Sequence, residues 1–221
     1  MPRELFRQEL EQIQDSVLAL GSMAEKAVVR AMNALRDSDA EESQRIIRDD
    51  GAINERRFEI EAKTMFVVAS QQPMAGDLRA LASVLYIITD LERIADHAEG
   101  IAKINLMLDA EPPPRPLGYL PAMADRAVAM MHDSMKAYLD RDVDLARAVA
   151  DRDDEVDALQ DRVYEEVIGG MIEARAAVKR NTYMLWCAHN LERIADRVTN
   201  ICERVVYMVT GDMTEVNVSK Y

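Results

Sequence analysis

Apolar residues in the first half of the chain recur at steps of three and four positions over three long stretches. This spacing places apolar side chains on one face of a helix, so each stretch is predicted to form an amphipathic helix. The helices are expected at about 3–36, 39–69 and 75–108. Ser38-Asp39 followed by Glu41-Glu42 is typical of a capping box that opens the second helix. Pro73 ends that helix, because the residue before a proline avoids the helical conformation.

The second half repeats this plan after a proline-rich stretch at 111–116. Four prolines in five residues favour a stiff, extended connection, so this stretch is interpreted as the linker between two units. Three further helices are predicted at about 117–140, 142–173 and 176–210. Gly211 follows the last of them in the position of a helix C-cap.

Six long helices and no credible strand predict an all-α protein that consists of two tandem three-helix bundles with antiparallel helices. The first bundle is expected at 1–110 and the second at 117–212, with a short polar tail at 213–221. Gly169 and Gly170 are unusual inside a helical pattern. They are expected to mark a bend or an early end of the fifth helix.

A repeated hexapeptide marks the third helix of each bundle. Residues 91–96 read Leu-Glu-Arg-Ile-Ala-Asp, and the same six residues return at 191–196. Flanking positions match as well, with Tyr86 against Trp186 and Ile101 against Ile201. A match of this length within one chain indicates a duplicated unit, so the two halves are expected to be similar.

The repeated helix places an acidic pair at the edge of its apolar face. On a helical wheel Leu91, Ile94 and Ala95 fall in one apolar arc, while Glu92 and Asp96 lie together just outside it because they are four residues apart. The second half presents the corresponding pair Glu192 and Asp196. Glu99 extends the pair in the first half, where the second half has Thr199.

The second helix of each half adds polar residues that face its core. Asp50 and Asn54 fall in the apolar arc of one helix, and Asp153 and Asp157 fall in the arc of the other. Carboxylates on a core-facing arc are costly unless they are paired or bind a cation. Packing of the second and third helices would therefore assemble two clusters of oxygen ligands.

Such oxygen-only clusters suit hard cations, namely Mg²⁺, Mn²⁺, Ca²⁺ or oxidised iron, and Zn²⁺ stays among the candidate ions. The alternative interpretation is that the acids simply form surface ion pairs. Arg93 or Arg193 would then pair with a neighbouring acid, which contributes roughly 0–1 kcal/mol per pair. The spacing alone leaves both interpretations open.

Composition excludes several classes of protein. A net charge of −13 without any run of Lys and Arg argues against a nucleic-acid partner. Cys187 and Cys202 would lie about 22 Å apart on one helix, too far for a disulfide. They are expected to be free thiols that fill the core, as are the methionines Met130, Met131, Met135 and Met184. Together with the lack of a signal peptide or a membrane-spanning run, this predicts a soluble cytoplasmic protein.

Motifs of catalysis are absent from the sequence. The three histidines do not follow a glutamate at the Glu-x-x-His spacing of di-iron bundles, and no glycine-rich phosphate loop or activated nucleophile is present. A binding or regulatory protein without an organic cofactor is therefore expected. The alternatives are a metal-dependent enzyme or metal store built on helical bundles, and a helical scaffold without metal.

Several segments resemble the PhoU family of phosphate-transport accessory and regulatory proteins. In the first half they are Gln-Pro at 72–73, Gly-Asp-Leu-Arg at 76–79 and the run at 90–97. In the second they are the runs at 190–197, 200–202 and 206–211. The resemblance implies two tandem three-helix bundles in a cytoplasmic, often dimeric protein that is not an enzyme. It reaches the membrane only through its partners.

The resemblance also implies a role and a ligand. Family members act as negative regulators of the phosphate-starvation response and link the ATPase subunit of the phosphate ABC transporter to a membrane sensor histidine kinase. Some bind multinuclear iron or other metal clusters through a Glu/Asp-x-x-x-Asp motif in each repeat. That motif corresponds to Glu92 with Asp96 and to Glu192 with Asp196, and the acidic positions of the second helices correspond to Asp50, Asn54, Asp153 and Asp157.

The sequence departs from the family pattern at a few positions. Ala95 and Ala195 stand where the family often has glycine, and Gly100 stands where asparagine is common, whereas Asn200 fits that pattern in the second half. These departures leave open whether the two acidic sites are equivalent.

Overall fold

The computed structural model describes residues 2–108, 117–173 and 175–213 of the 221-residue chain. The α-helices are α1 (Pro2–Asp37), α2 (Ala40–Gln71), α3 (Gly76–Leu108), α4 (Leu120–Asp140), α5 (Val143–Ala150), α6 (Asp153–Glu173) and α7 (Val178–Thr210). A 3₁₀ turn at Arg175–Ala177 precedes α7. No strand occurs within these ranges, which confirms the predicted all-α class of long helical bundles.

The predicted fifth helix is wrong in one respect, because it is divided into α5 and α6 at residues 151–152. Residues 151–152 form a turn, and Arg152 donates a hydrogen bond of 2.7 Å from its guanidinium to Asp133 on α4. Asp153, Asp154 and Glu155 then form an acidic first turn of α6, which the partial positive charge of a helix N-terminus favours. Because Val149 and Val156 on either side of the break both remain buried, the apolar pattern alone does not reveal it.

Gly169 and Gly170 do not end the helix, since α6 continues through both to Glu173. Gly170 allows a close approach to the start of α7 instead. A Cβ atom at this position would lie 3.0 Å from the side-chain nitrogen of Asn181.

The helix ends follow the predicted capping signals. The Asp39 carboxylate accepts a hydrogen bond of 2.9 Å from the backbone N–H of Glu42, which satisfies a free donor of the first turn of α2. Gly211 adopts a φ of 85° and donates its N–H to the Tyr207 carbonyl at 2.9 Å, which closes α7. Glycine meets this left-handed conformation without the steric cost that a Cβ atom would add.

Buried Asn105 holds the turn between α1 and α2. Its side-chain amide shares its two N–H groups among the carbonyl oxygens of Ala34 and Asp39 and the Ser43 hydroxyl, at 2.9–3.2 Å. Val205 occupies the equivalent place in the second half and is fully buried. The two repeats therefore secure corresponding regions by different means, one by hydrogen bonds and the other by apolar packing.

The helices pack in two groups that meet along α3 and α7. Helices α1, α2 and α3 pack on one another, and α4 packs with α5, α6 and α7. Helix α1 also contacts α4 across the junction. Helices α2 and α6 pack only within their own groups and so lie at the outer edges. The predicted linker at 111–116 and nearly all of the predicted tail lie outside the described residues, and the division at these boundaries stays a prediction.

The core combines aliphatic, methionine and cysteine side chains from both groups of helices. The predicted core methionines are all buried, at 9% exposure or less (Met130, Met131, Met135 and Met184). Cys187 and Cys202 are free and fully buried, as predicted. Burial raises the pKa of both thiols, which keeps them neutral and unreactive.

Candidate metal sites

The first acidic cluster brings together residues of α2 and α3. We define it as Asp50, Asn54, Glu92, Asp96 and Glu99. The pKa of Asp50 is raised by burial and then by the negative charges of Glu99, Asp96 and Glu92. Since these charges act on one carboxyl group, the two helices place all four acids near one another. The helical wheel had predicted this juxtaposition.

The amide of Asn54 positions the buried carboxylate of this cluster. Asn54 donates a hydrogen bond of 3.0 Å to one carboxylate oxygen of Asp50, one helical turn away. The other oxygen, Oδ1, is buried and has no hydrogen-bond partner. An unpartnered buried carboxylate oxygen is costly, and a cation is one ligand that would satisfy it.

Basic residues balance part of the charge of the first cluster. Lys103 pairs with Glu99, and Arg93 lies 2.9 Å from Asp96 and 3.5 Å from Glu92. The pKa of Glu92 is raised by burial and by Asp96, and Arg93 and Arg57 oppose that shift. Three cationic side chains from two helices therefore lie around the first cluster.

The second acidic cluster joins α6 to α7 at the corresponding place. We define it as Asp153, Asp157, Glu192 and Asp196. Burial raises the pKa of Asp153 to about 7, with further contributions from the charges of Asp157, Asp196 and Glu192. Burial and Asp196 likewise raise the pKa of Glu192 to about 7. The pKa of Asp157 is raised by burial and by the charge of Asp196.

Two buried oxygens of the second cluster have no hydrogen-bond partner, namely Asp153 Oδ1 and Glu192 Oε2. Glu192 Oε2 lies 3.4 Å from His189 Nδ1 without forming a hydrogen bond. Arg193 pairs with Asp196 at 2.8 Å. Four carboxylates thus share a half-buried site with few balancing cations, and their oxygens fit the needs of a hard cation.

Neither cluster forms a finished coordination shell. Among the described residues, no three His, Cys, Asp or Glu side chains are arranged so that they could hold a metal ion together. Mutual repulsion keeps like charges apart, and Arg93 and Arg193 hold Asp96 and Asp196. The eight residues named from the sequence lie in the two clusters, but metal binding there stays a prediction.

Sequence reasoning missed the polar contacts between the two halves. We call these the central seam, formed by Asp90, His97 and Gly100 on α3 and by Asn190, Arg197 and Asn200 on α7. Asp90 lies 3.4 Å from both Arg197 and Asn200. His97 Nδ1 lies 3.0 Å from the side-chain oxygen of Asn190, and a Cβ atom at Gly100 would lie 3.0 Å from the same oxygen.

The seam has an internal twofold pattern. Residue 90 contacts 197 and 200, and residue 190 approaches 97 and 100. Adding one hundred to the first-half number and subtracting it from the second-half numbers therefore exchanges the two sets of contacts. The repeat offset was visible in the sequence and could have suggested these pairs. It could not have shown that the two third helices pack against each other.

The fold and the clusters define a class, namely duplicated helical-bundle proteins with one acidic, oxygen-rich cluster in each repeat. A model of the PhoU domain matches the chain twice, at residues 17–104 and 120–205. The chain belongs to the PhoU family. Each of the two matches includes one acidic cluster.

Relatives and solved structures agree with this assignment. The chain is 38% identical to the phosphate-specific transport system accessory protein PhoU homolog of Clostridium acetobutylicum, over 98% of this chain and all of that protein. It resembles the crystal structure of PhoU from Pseudomonas aeruginosa with a TM-score of 0.88 and 34% identity, over 94% of this chain and 100% of that one. The crystal structure of the phosphate transport system regulatory protein PhoU from Streptococcus pneumoniae gives a TM-score of 0.88 at 32% identity, over 95% and 99% of the two chains.

Proposed function

We propose that the protein is a non-catalytic accessory and regulatory protein of phosphate transport. The family assignment, together with end-to-end similarity to proteins named for that role, carries this proposal. The finer role we propose is an adaptor that restrains the phosphate-starvation response. It would contact the ATPase subunit of the phosphate ABC transporter and a sensor histidine kinase in the cytoplasm, as a homodimer.

Physical features support an adaptor. No helix among the described residues is long and apolar enough to cross a membrane. The net charge of −13 and the two acidic clusters favour basic protein surfaces over nucleic acid. The buried, neutral cysteines offer no reactive thiol to support catalysis.

The test is direct association of purified components. We expect the wild-type protein to bind the purified transporter ATPase and the cytoplasmic part of the kinase in surface plasmon resonance, with affinity that decreases as salt increases. Salt dependence is expected because opposite charges steer the contact. Absence of binding to both proteins, in the presence and absence of divalent cations, would contradict the adaptor role.

We further propose that each acidic cluster binds metal through its carboxylates, with the eight sequence-named residues as ligands or as positioning groups. The unpartnered oxygens of Asp50, Asp153 and Glu192 support this proposal. A bound cation would supply positive charge that offsets the repulsion within each cluster. Asn54 would hold Asp50 in place, and Arg93 and Arg193 would release Asp96 and Asp196 toward the ion.

Elemental analysis of untagged protein tests the metal sites. We expect stoichiometric metal in the wild type and loss of the corresponding share when Glu92 and Asp96, or Glu192 and Asp196, are replaced by Gln and Asn. Glu11 and Asp15 provide the control, because they form an exposed pair with the same spacing on α1. Unchanged metal content in the cluster variants, or equal loss in the control, would contradict ligation.

A further inference from the structure

A cavity of about 260 Å³ lies in the groove between α1 and α2. It is lined by Ile13, Ser16, Arg56, Glu59, Ile60 and Lys63. Its floor is apolar, because Ile13 and Ile60 are only 1% and 2% exposed, and its other four lining side chains are polar. None of these residues belongs to an acidic cluster or to the central seam. We call this separate site the α1–α2 cavity.

The two cationic side chains of the cavity converge on neighbouring residues of α1. Arg56 donates a hydrogen bond of 3.2 Å to the Ser16 hydroxyl oxygen, and Lys63 donates one to the side-chain oxygen of Gln12. Along α2 the backbones of Arg56 and Lys63 are about 10.5 Å apart, whereas Gln12 and Ser16 are one turn, or about 6 Å, apart along α1. The charged groups are therefore closer together than their backbones, so one small ligand can contact both.

The positive charge of these two side chains is only partly neutralised. Lys63 contacts a neutral amide oxygen, and Arg56 contacts a hydroxyl oxygen together with Glu59 at 2.8 Å. The Glu59 side chain is 65% exposed, so solvent screens its ion pair with Arg56. Two cations and one screened acid thus line the cavity, although the net charge of the whole chain is −13. This local excess of positive charge favours an anion.

The second half has no equivalent of this pair of cations. An offset of 103 residues relates α2 to α6, because it superimposes the buried Ile60 on the buried Val163. With that offset, Leu159 and Glu166 stand in place of the two cations. The repeated unit therefore folds with an apolar and an acidic residue at these positions. Packing of the helices does not require the two cations, whereas binding of an anion does.

We propose that the α1–α2 cavity binds a phosphate group, either as inorganic phosphate or as part of a small phosphorylated molecule. Charged donors hold phosphate oxygens strongly, and arginine and lysine are the usual cations at such sites. The Gln12 amide adds a third donor. The Ser16 hydroxyl, which donates to the Gln12 carbonyl at 2.8 Å, can rotate to become a fourth.

Four donor groups on two helices match the several oxygens of a phosphate better than the two oxygens of a carboxylate. The volume of about 260 Å³ is more than one phosphate ion fills and lies just below the range of about 300–1,000 Å³ that is typical of organic ligands. The cavity therefore has room for a small organic group beside the phosphate, with the apolar floor beneath it. The site depends neither on bound metal nor on the adaptor role.

Calorimetric titration of the metal-free protein with sodium phosphate, in the presence of a chelator, tests the site. We expect one site per chain with a dissociation constant of about 1 mM or tighter, and affinity that decreases as salt increases. Arg56→Gln and Lys63→Gln should each weaken binding by about tenfold, because each removes one of the two cations.

Lys179→Gln is the control for non-specific attraction of anions. Lys179 is exposed on α7, outside the cavity, and residues 175–190 contain three bases and no acid. An anion that is drawn only to basic surface would respond to this replacement. We expect phosphate affinity to stay unchanged in Lys179→Gln.

A third replacement separates ligand binding from a structural role of these side chains. Glu59→Gln removes the acid that competes for Arg56, so it should strengthen phosphate binding by about threefold. Loss of an ion pair that only supported the fold would not produce such a gain. Thermal unfolding of each variant without phosphate shows whether it folds like the wild type.

Two further ligands identify the source of the phosphate group. Glycerol 3-phosphate and inorganic phosphate are compared in the same titration, and tighter binding of either one supports the proposal and names the source. Succinate binding as tight as phosphate binding would overturn the assignment to phosphate. Absence of phosphate binding to the wild type, equal losses in Lys63→Gln and Lys179→Gln, or weaker binding in Glu59→Gln would overturn the site. Because the isolated, metal-free chain is used, these failures leave the adaptor role and the metal sites unaffected.

Discussion

The two acidic clusters occupy equivalent places in the repeats but differ in how their charge is balanced. In the first cluster Asn54 replaces one carboxylate, and Arg57, Arg93 and Lys103 oppose the remaining acids. In the second, Asp157 stands at the place of Asn54, and the pKa values of two acids rise to about 7. Duplication has therefore kept the position of the site while its electrostatics diverged. The second cluster therefore has the less balanced negative charge.

The central seam shows the same divergence. The contact between Asp90 and Arg197 is ionic, whereas its twofold counterpart between Asn190 and His97 pairs an amide with an imidazole. Burial raises the pKa of Asp90, although Asn200 and Arg197 oppose the shift. Burial also lowers the pKa of His97, which favours its neutral form. The two ends of one interface thus have different sensitivity to mutation.

The largest expected effect is the loss of stability when a residue of the central seam is replaced. Asp90→Ala should lower the free energy of unfolding by about 2–3 kcal/mol, because it leaves the half-buried Arg197 without its acidic partner. Asn190→Ala should cost about 1 kcal/mol, the usual contribution of a neutral hydrogen bond. Urea denaturation of both variants measures the difference. Equal costs would show that the ionic contact adds nothing to the interface.

The next largest expected effect is the pH dependence of the stability of the metal-free protein. Because Asp153 and Glu192 have folded pKa values of about 7, the folded state binds more protons than the unfolded state between about pH 4 and 7. Stability should therefore decrease as the pH rises through this window, by about 1–2 kcal/mol once solvent screening is allowed for. Urea denaturation in chelator at pH 5 and pH 8 measures it.

Matched variants locate the source of this pH dependence. Asp153→Asn should remove much of the decrease in stability between pH 5 and pH 8. Asp50→Asn in the first cluster should change that decrease less, because basic side chains oppose the acids of the first cluster. A wild-type stability that rises between pH 5 and pH 8 would contradict the assigned shifts. A larger effect of Asp50→Asn would reverse the comparison of the clusters.

Cation affinity should separate the clusters by about tenfold, which corresponds to about 1.4 kcal/mol. In calorimetric titration with Mn²⁺, we expect the tighter class of sites to disappear in the Glu192→Gln, Asp196→Asn variant. The weaker class should disappear in the Glu92→Gln, Asp96→Asn variant. The physical reason is the smaller number of basic residues around the second cluster. Loss of the tighter class from the first-cluster variant would contradict this order.

The smallest expected effect is on Mn²⁺ affinity and comes from Asn54, the amide that stands in the first cluster where the second has Asp157. Asn54→Asp should strengthen Mn²⁺ binding at the first cluster by about threefold, because it adds a carboxylate beside Asp50. Asp157→Asn should weaken the second cluster by a similar factor. The same titration measures both. If neither changes, positions 54 and 157 lie too far from the ion to act as ligands.

Local sequence signals predicted most of the fold correctly. The third helix was expected at about 75–108 and is observed at Gly76–Leu108, because a proline stop and a long apolar period define it. The break at 151–152 was not predicted. At the break Arg152 contacts Asp133, nineteen residues away, and no local pattern encodes such a contact.

The sequence by itself determined the helices, the duplication and the acids that each helix presents, because the period of the α-helix converts spacing into direction. Tertiary structure decided which cations balance those acids, since Arg57 reaches Glu92 only when α2 lies beside α3. It also decided that α3 and α7 form the seam. Burial and the distances between helices set the charge state of each cluster, and these depend on the packing of the whole chain.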